Sequence, residues 1–220
     1  MTMPQVPDDA TAESYWEPIY LERATPAEAV PSNSDLLAAE VAGLQPGRAL
    51  DLGCAEGGDV IWLAQQGWDV LGVDVSSTAL AKGAEHAEVA GVSDRTRWEQ
   101  HDLSATFPDG EFDLVSAQFL HTPVAGDSQR TTILRQAMRA VAPGGRLMVM
   151  SHTGWPTWMT ESPHEVDFAT PEELLASVGL PREGWTVVRN ERVPRDFPGP
   201  EGQPGTRDDA VLHVRRDEAV

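Results

Sequence analysis

The stretch that decides the fold is Ala49–Ala64, "ALDLGCAEGGDVIWLA". An apolar run ends on Asp51, passes through Gly53, Gly57 and Gly58, and enters an amphipathic segment with Val60, Leu63 and Ala64 on one side. This is the pattern of a strand, a tight turn and a helix. Glycines in such a turn remove Cβ atoms where chain and ligand would collide, and the helix start offers unpaired N–H groups to an anionic group. As a template, "GCAEGG" is ambiguous: it fits the dinucleotide variant G-x-A-x-x-G, and equally a degraded G-x-G-x-G with Ala55 in the middle.

The flanking chain repeats the same alternation. "WDVLGVDV" reads as a second strand, "SSTALAKGAEHAEVAG" as a helix capped by a serine, "RTRWEQHDL" as a third strand and "EFDLVSAQF" as a fourth. "SQRTTILRQAMRAVAPGG" carries Ile133, Leu134, Ala137, Met138 and Val141 on one helical face before a Pro-Gly-Gly stop, and "RLMVMSH" is a fifth strand. Upstream, "SNSDLLAAEVAGL" is a helix that Asn33 or Ser34 caps. Alternation of this kind implies right-handed crossovers and an α/β, Rossmann-like, doubly wound, mostly parallel sheet. The end departs from it. "TPEELLASVGL" is a short helix with a capping box of Thr170 and Glu173, with Pro171 at its first position. "GWTVVRNE" and "DAVLHVRR" then follow with only a Pro/Gly-rich connection between them, so they pair as an antiparallel C-terminal hairpin.

Composition bounds the partners. Thirty-five acidic residues stand against 16 Lys plus Arg, a formal charge of −19 over 220 residues. Such a surface repels phosphate backbones and anionic lipid, which argues against nucleic acid and against a membrane. Cys54 is the only cysteine, so an intrachain disulfide is impossible. The start has neither the basic region nor the apolar core of a signal peptide, and a cytoplasmic protein is the expectation. Residues 1–14 read as a loose acidic arm, followed by "YWEPIY" with three aromatics.

Three acids specify the ligand. Asp74 closes the second strand just over twenty residues after Gly53, where a carboxylate meets a ribose diol. Both NAD and S-adenosylmethionine carry that ribose. Asp51 discriminates: a carboxylate so near the first glycine repels a pyrophosphate but suits the amino group of a methionine moiety. Asp102, in "HDL" at the close of the third strand, is placed to accept from an adenine amino group.

Taken together, "DLGCAEG", "VLGVDVS", "HDL", "FDLVSAQ" and "APGGRL" resemble the class I S-adenosylmethionine-dependent methyltransferases, over a range from about Ser34 to the C-terminus. Trp16 and Tyr20 followed by "PSN" resemble the start of the small-molecule group that includes tellurite-resistance and thiopurine methyltransferases. The resemblance implies S-adenosyl-L-methionine as cofactor and a small-molecule methyl acceptor. It divides the chain into an arm that lids the cofactor (residues 1–33) and a methyltransferase domain (residues 34–220). It implies that Gly53, with Ala55 and Gly57, approaches the methionine portion, with Asp51 near its amino group. Asp74 then holds the ribose hydroxyls, Val75 packs on the adenine, Asp102 and Leu103 read its edge, and Gln118 faces the cofactor. Trp16 and Tyr20 are candidates for cation–π contact with the sulfonium. Ala55 stands where the family pattern has glycine, so weaker affinity is expected.

His121 and His152, after the fourth and fifth strands, are the candidates for a general base. The loop "SHTGWPTWMTESPHEVDF" is expected to lid an apolar acceptor site with Trp155 and Trp158, packing over the sheet being the alternative. His152, His164, Glu165 and Asp167 match no standard ligand spacing, so no metal is expected. Two other function classes stay open at the level of sequence: an NAD(P)-dependent oxidoreductase, which rests on G-x-A-x-x-G, and a non-catalytic S-adenosylmethionine-binding protein. The expected assembly is a monomer or homodimer.

Overall fold

The computed structural model describes residues 6–7, 9–23, 25–124, 126–159 and 168–218. Seven strands form one sheet: β1 (Arg48–Leu52), β2 (Asp69–Asp74), β3 (Thr96–Gln100), β4 (Phe112–Gln118), β5 (Val141–His152), β6 (Trp185–Asp196) and β7 (Thr206–Arg216). Their order is β3-β2-β1-β4-β5-β7-β6. The first five run parallel; β7 inserts antiparallel between β5 and β6. This is the Rossmann-like sheet with a C-terminal hairpin that the sequence predicts.

Helices α1 (Ala12–Arg23), α2 (Asp35–Val41), α3 (Gly58–Gln65), α4 (Ser77–Val89), α5 (Gly126–Ala140) and α6 (Pro171–Ser177) cover the two faces. Local chemistry sets their starts. Ser34 caps α2 through the N–H of Leu37, and Ser76 caps α4 through that of Ala79. Thr170 and Glu173 form the reciprocal capping box of α6. One core, containing Leu50, Val115, Leu134 and Leu147, lies beneath α5 and α6; the other, containing Ala49, Leu63, Trp68 and Met148, lies beneath α2, α3 and α4. Among the described residues no helix is long and apolar enough to cross a membrane.

Three boundaries differ from the sequence reading. The loose arm is a helix from Ala12 onward, because Tyr15, Ile19 and Tyr20 recur at helical spacing and are buried. Val141 is the first residue of β5 and not the last of the α5 face, since the chain passes from helix to strand without a break. The hairpin is longer than expected: β6 continues through Pro194 to Asp196, which the edge position permits because an edge residue need not donate on its outer side.

The glycines of the turn are explained mostly by the protein itself. A Cβ on Gly57 would lie 2.3 Å from the Trp98 ring, and one on Gly83 would lie 2.5 Å from it. A Cβ on Gly58 would lie 2.5 Å from the carbonyl oxygen of Ser32. One on Gly53 would lie 2.8 Å from the Leu120 side chain. Trp98, wedged between β2, α3 and α4, is what Gly57 accommodates within the protein.

Gly57→Ala therefore combines overpacking, worth about 1–3 kcal/mol, with a left-handed φ of 85°. Thermal unfolding should show a fall of roughly 2–4 °C for each kcal/mol. Gly91→Ala, with φ 71° but open space around it, should lose clearly less. Equal losses would contradict the wedge.

Candidate functional site

Two adjoining hollows open at the carboxyl ends of the parallel strands. The main cleft, about 720 Å³, has Gly53 and Ala55 of the turn, Asp74 and Val75 after β2, and Asp102 and Leu103 after β3 on its walls. Gln118, ending β4, and His121 beyond it complete the opposite side. Trp16, Ile19 and Tyr20 of α1 form a roof. The side cavity, about 450 Å³, shares Gly53, Ala55, Gln118 and Phe119 with the cleft and adds Asp51, Gly57 and Asp59. The predicted cofactor residues thus converge, with Asp51 and Gly57 displaced to the side cavity.

Asp74 organises the floor. Its carboxylate accepts from the backbone N–H of Ala55 at 2.9 Å and from that of Ser76 at 3.0 Å. Burial raises its pKa, and the N–H groups of Ser76, Ala55 and Val75 oppose the rise. Ala55 itself sits at φ 51°, a left-handed conformation that costs a non-glycine residue roughly 1–2 kcal/mol. Asp102 lies two residues past the end of β3, not within it; its Oδ1 accepts from Ser104 N–H at 2.9 Å. Val75 is fixed through its carbonyl, which accepts from the Gln100 amide at 2.9 Å. Gln118 donates to Ser116 Oγ at 3.0 Å, while its Oε1 is buried with no partner. A buried acceptor left open at the junction of two hollows is an offer to a donor from a ligand.

The side cavity is electrostatically incomplete. Asp51 is 3% exposed, and burial, then Asp59 and Asp74, push its pKa well above the usual carboxylate range, against a hydrogen bond from Ser116. Asp59 accepts from Ser34 N–H at 2.6 Å; burial still raises its pKa to about 6. Both carboxyls are destabilised in their charged form, so a cation in the cavity favours their ionisation.

The roof helix is tied down by contacts that the sequence does not announce. Glu17 accepts from Ser76 Oγ at 2.6 Å and from Thr78 at the start of α4. Lys82 donates to the Tyr20 carbonyl at 3.3 Å and pairs with Glu56 at 3.6 Å. Trp16 and Tyr20 lie 6.4 Å apart, centroid to centroid.

The two histidines differ in place. His121 faces the cleft and is exposed along it; desolvation by the cleft walls, then His152, Arg130 and Arg207, lower its pKa to about 4. His152 lines neither hollow. Its ring stacks on Phe119 at 4.4 Å and lies 5.6 Å from that of His121, and its Nδ1 is 2.7 Å from Asp209, its cross-strand partner on β7. Burial lowers the His152 pKa, Asp209 opposes that, and Arg207 and Arg195 add to it. Phe119, at φ 52°, carries Arg195 on its ring at 5.4 Å. Neither tryptophan of the following loop lines a hollow: Trp155 packs edge-on against Phe168, and Trp158 lies against Gly205 of the hairpin. Of the described loop residues, packing over the hairpin is the reading that holds. His164, Glu165 and Asp167 lie outside the described residues, and among the described ones no cluster of metal-ligating side chains occurs.

Cation binding in the side cavity is linked to protons. The raised carboxyls make the ligand-free protein lose stability as pH rises from about 4 through 6, since the folded state there binds more protons than the unfolded one. A ligand bearing an ammonium favours the ionised form, so its affinity should rise over the same window. Asp51→Asn should raise the ligand-free melting temperature at pH 8 and weaken such a ligand at least about tenfold. Differential scanning calorimetry and titration calorimetry read the two effects; a variant less stable at pH 8 with unchanged affinity would refute the account.

Residues 49–145 match a family model described as a methyltransferase domain. The 27-O-demethylrifamycin SV methyltransferase of Amycolatopsis mediterranei is 34% identical over 60% of this chain, and the match spans 47% of that protein's length. Thiocyanate methyltransferase 1 of Arabidopsis thaliana is 27% identical over 87% of this chain and 82% of its own. A solved S-adenosylmethionine-dependent methyltransferase from Geobacter sulfurreducens, in complex with S-adenosylhomocysteine, superposes with TM-score 0.60 at 21% identity, covering 92% of this chain and 99% of that one. Residues 49–145 thus carry a methyltransferase domain, and the fold of the chain is that of the solved S-adenosylmethionine-dependent methyltransferase.

Proposed function

We propose that this methyltransferase moves a methyl group from S-adenosylmethionine to an oxygen, nitrogen or sulfur nucleophile of a small molecule. The observation that carries the reading is the convergence of Asp74, Asp102, Gln118 and the Gly53 turn around one cleft with two histidines on its walls, of which His101 is engaged by Thr106 and Glu99 and His121 is the candidate base. The residues present fit the cofactor: a buried unpartnered acceptor on Gln118, buried carboxylates short of a cation, and an aromatic roof. Acceptors named for the relatives, a rifamycin precursor and thiocyanate, are small molecules and agree with a cleft of this size.

When bound, S-adenosylmethionine supplies an electrophilic methyl group on a positively charged sulfur. The chain's own part is alignment and exclusion of water. Asp74 would hold the ribose hydroxyls, and Val75 and Leu103 would flank the adenine, with Asp102 at its edge. Asp51 would take the ammonium. Trp16 and Tyr20 would offer ring faces to the sulfonium, each contributing about 0.5–2 kcal/mol. The acceptor lies against the apolar wall of Leu120, Pro123, Val124 and Ile133. His121, neutral at physiological pH, presents a ring nitrogen to the acceptor's proton. A base this weak suits a thiol or phenol better than an alcohol, because proton transfer follows the difference in pKa. His152 and Asp209 act behind it, by fixing Phe119.

The test is turnover of S-adenosylmethionine with panels of thiols, phenols, amines and carboxylates. Methylation of at least one panel is expected, and cofactor binding with no turnover on any would refute the catalytic reading. For an accepted substrate, His121→Asn should lower kcat by about 10²–10⁴-fold. The wild-type rate should show no inflection near pH 6.5 from a histidine. Asp74→Ala should weaken S-adenosylhomocysteine by more than about tenfold, the loss of one charge-assisted hydrogen bond; a smaller change would remove Asp74 from its assigned role.

A further inference from the structure

Behind His121 lies a buried ionic cluster. Asp209, fully buried on β7, accepts from His152 Nδ1 at 2.7 Å and from Arg195 Nε, and Arg207 Nε stands 3.9 Å from it. Burial by itself raises the Asp209 pKa, but the bonds from His152 and Arg195 outweigh it and keep the carboxylate ionised. An ionised carboxylate only accepts. It therefore puts a proton on His152 Nδ1 and leaves Nε2 as the acceptor of that ring. Among the described residues no hydrogen bond engages this Nε2 or either nitrogen of His121. The two rings stand 5.6 Å apart between centroids, inclined by 39°. A direct hydrogen bond or one bridging water spans such a spacing.

We infer that His121 passes the acceptor's proton to His152, and that the His152–Asp209 pair is the way by which this proton leaves the cleft. The inference rests on the methyltransferase reading proposed above. As the acceptor's nucleophilic atom takes the methyl group, sulfur keeps the electron pair of the broken bond, and the acceptor's proton goes to one nitrogen of His121. The other nitrogen of His121 gives its proton to His152 Nε2. His121 ends neutral, and the charge sits on His152 against Asp209. The neighbours set this direction. Burial disfavours a charge on either ring. For His121, His152, Arg130 and Arg207 add to that penalty, and among the described residues no carboxylate opposes it. For His152, Asp209 opposes it by hydrogen bond and by charge, against Arg207 and Arg195. An acceptor in place covers the cleft side of His121 and keeps water from it. His152 lines neither hollow, and its side chain is 16% exposed, so the proton reaches water away from the reacting atoms.

Two variants separate proton transfer from mere support. His152→Gln keeps an N–H for Asp209, and His152→Phe keeps an aromatic ring against Phe119, but neither takes up a proton. Both should bind S-adenosylhomocysteine as the wild type does. With an accepted thiol or phenol, both should lower kcat at least about tenfold where the acceptor is protonated, with its KM unchanged. The deficit should vanish above the acceptor's own pKa, since an ionised acceptor has no proton to pass on, and added imidazole should restore both variants. A loss in one variant alone, or an equal loss on both sides of that pKa, makes His152 a support for its neighbours and overturns the inference. Turnover confined to acceptors that arrive ionised overturns it too. Nitrogen NMR of the histidine rings, with no acceptor present, should show His152 protonated before His121 as pH falls; the reverse order contradicts the direction of transfer. A wild type that methylates nothing would instead sink the methyltransferase reading, and the order of protonation is read without turnover, so the two failures stay distinct.

Discussion

One carboxylate, that of Asp74, holds the site together. By accepting from Ala55 N–H and Ser76 N–H it fastens the turn after β1 to the turn after β2. Everything around it follows from that bond. Ala55 is kept in a left-handed conformation, Ser76 is oriented to cap α4, and the same hydroxyl of Ser76 donates to Glu17 of the roof helix. Floor and roof of the cleft are therefore one hydrogen-bonded unit. The cost is a buried charge that helps raise the pKa of Asp51, while burial, and to a smaller degree Glu17, raise that of Asp74 itself.

That cost is characteristic of a binding site. A domain selected for stability alone would not keep Asp51, Asp59 and Asp74 within one low-dielectric corner, since burying charge without a partner is strongly unfavourable. A proton or a cation relieves that cost, and the cavity that Asp51 and Asp59 line adjoins the cleft. The two non-glycine residues with positive φ among those described, Ala55 and Phe119, both border the same hollows. Strain and unpaired charge meet where a ligand can relieve them.

The sheet was legible in the sequence because its signals are local. Each βα unit carries its own cap, stop and apolar stripe, and the two last strands lack a helix between them. The acids were legible for the same reason, since each closes a strand or stands at its end. Contacts across the fold were not. Asp209 meets His152 only through the register of β5 with β7, and Glu17 meets Ser76, which lies 59 positions further along the chain. The glycine turn held a packing reason that its own stretch did not announce: Gly57 makes room for Trp98, some forty positions later. The hint lay in Gly72 and Gly83, two further small residues on the elements that flank the same indole.

The central claim is that an adenosine-bearing sulfur ligand lies in the main cleft with its ribose on Asp74. A crystal structure of the complex with S-adenosylhomocysteine tests it most directly. The account predicts both ribose hydroxyls within hydrogen-bond distance of the Asp74 carboxylate, the purine between Val75 and Leu103, and the amino group in the side cavity beside Asp51. A nucleoside bound elsewhere, or bound in the cleft with its ribose turned away from Asp74, would contradict it.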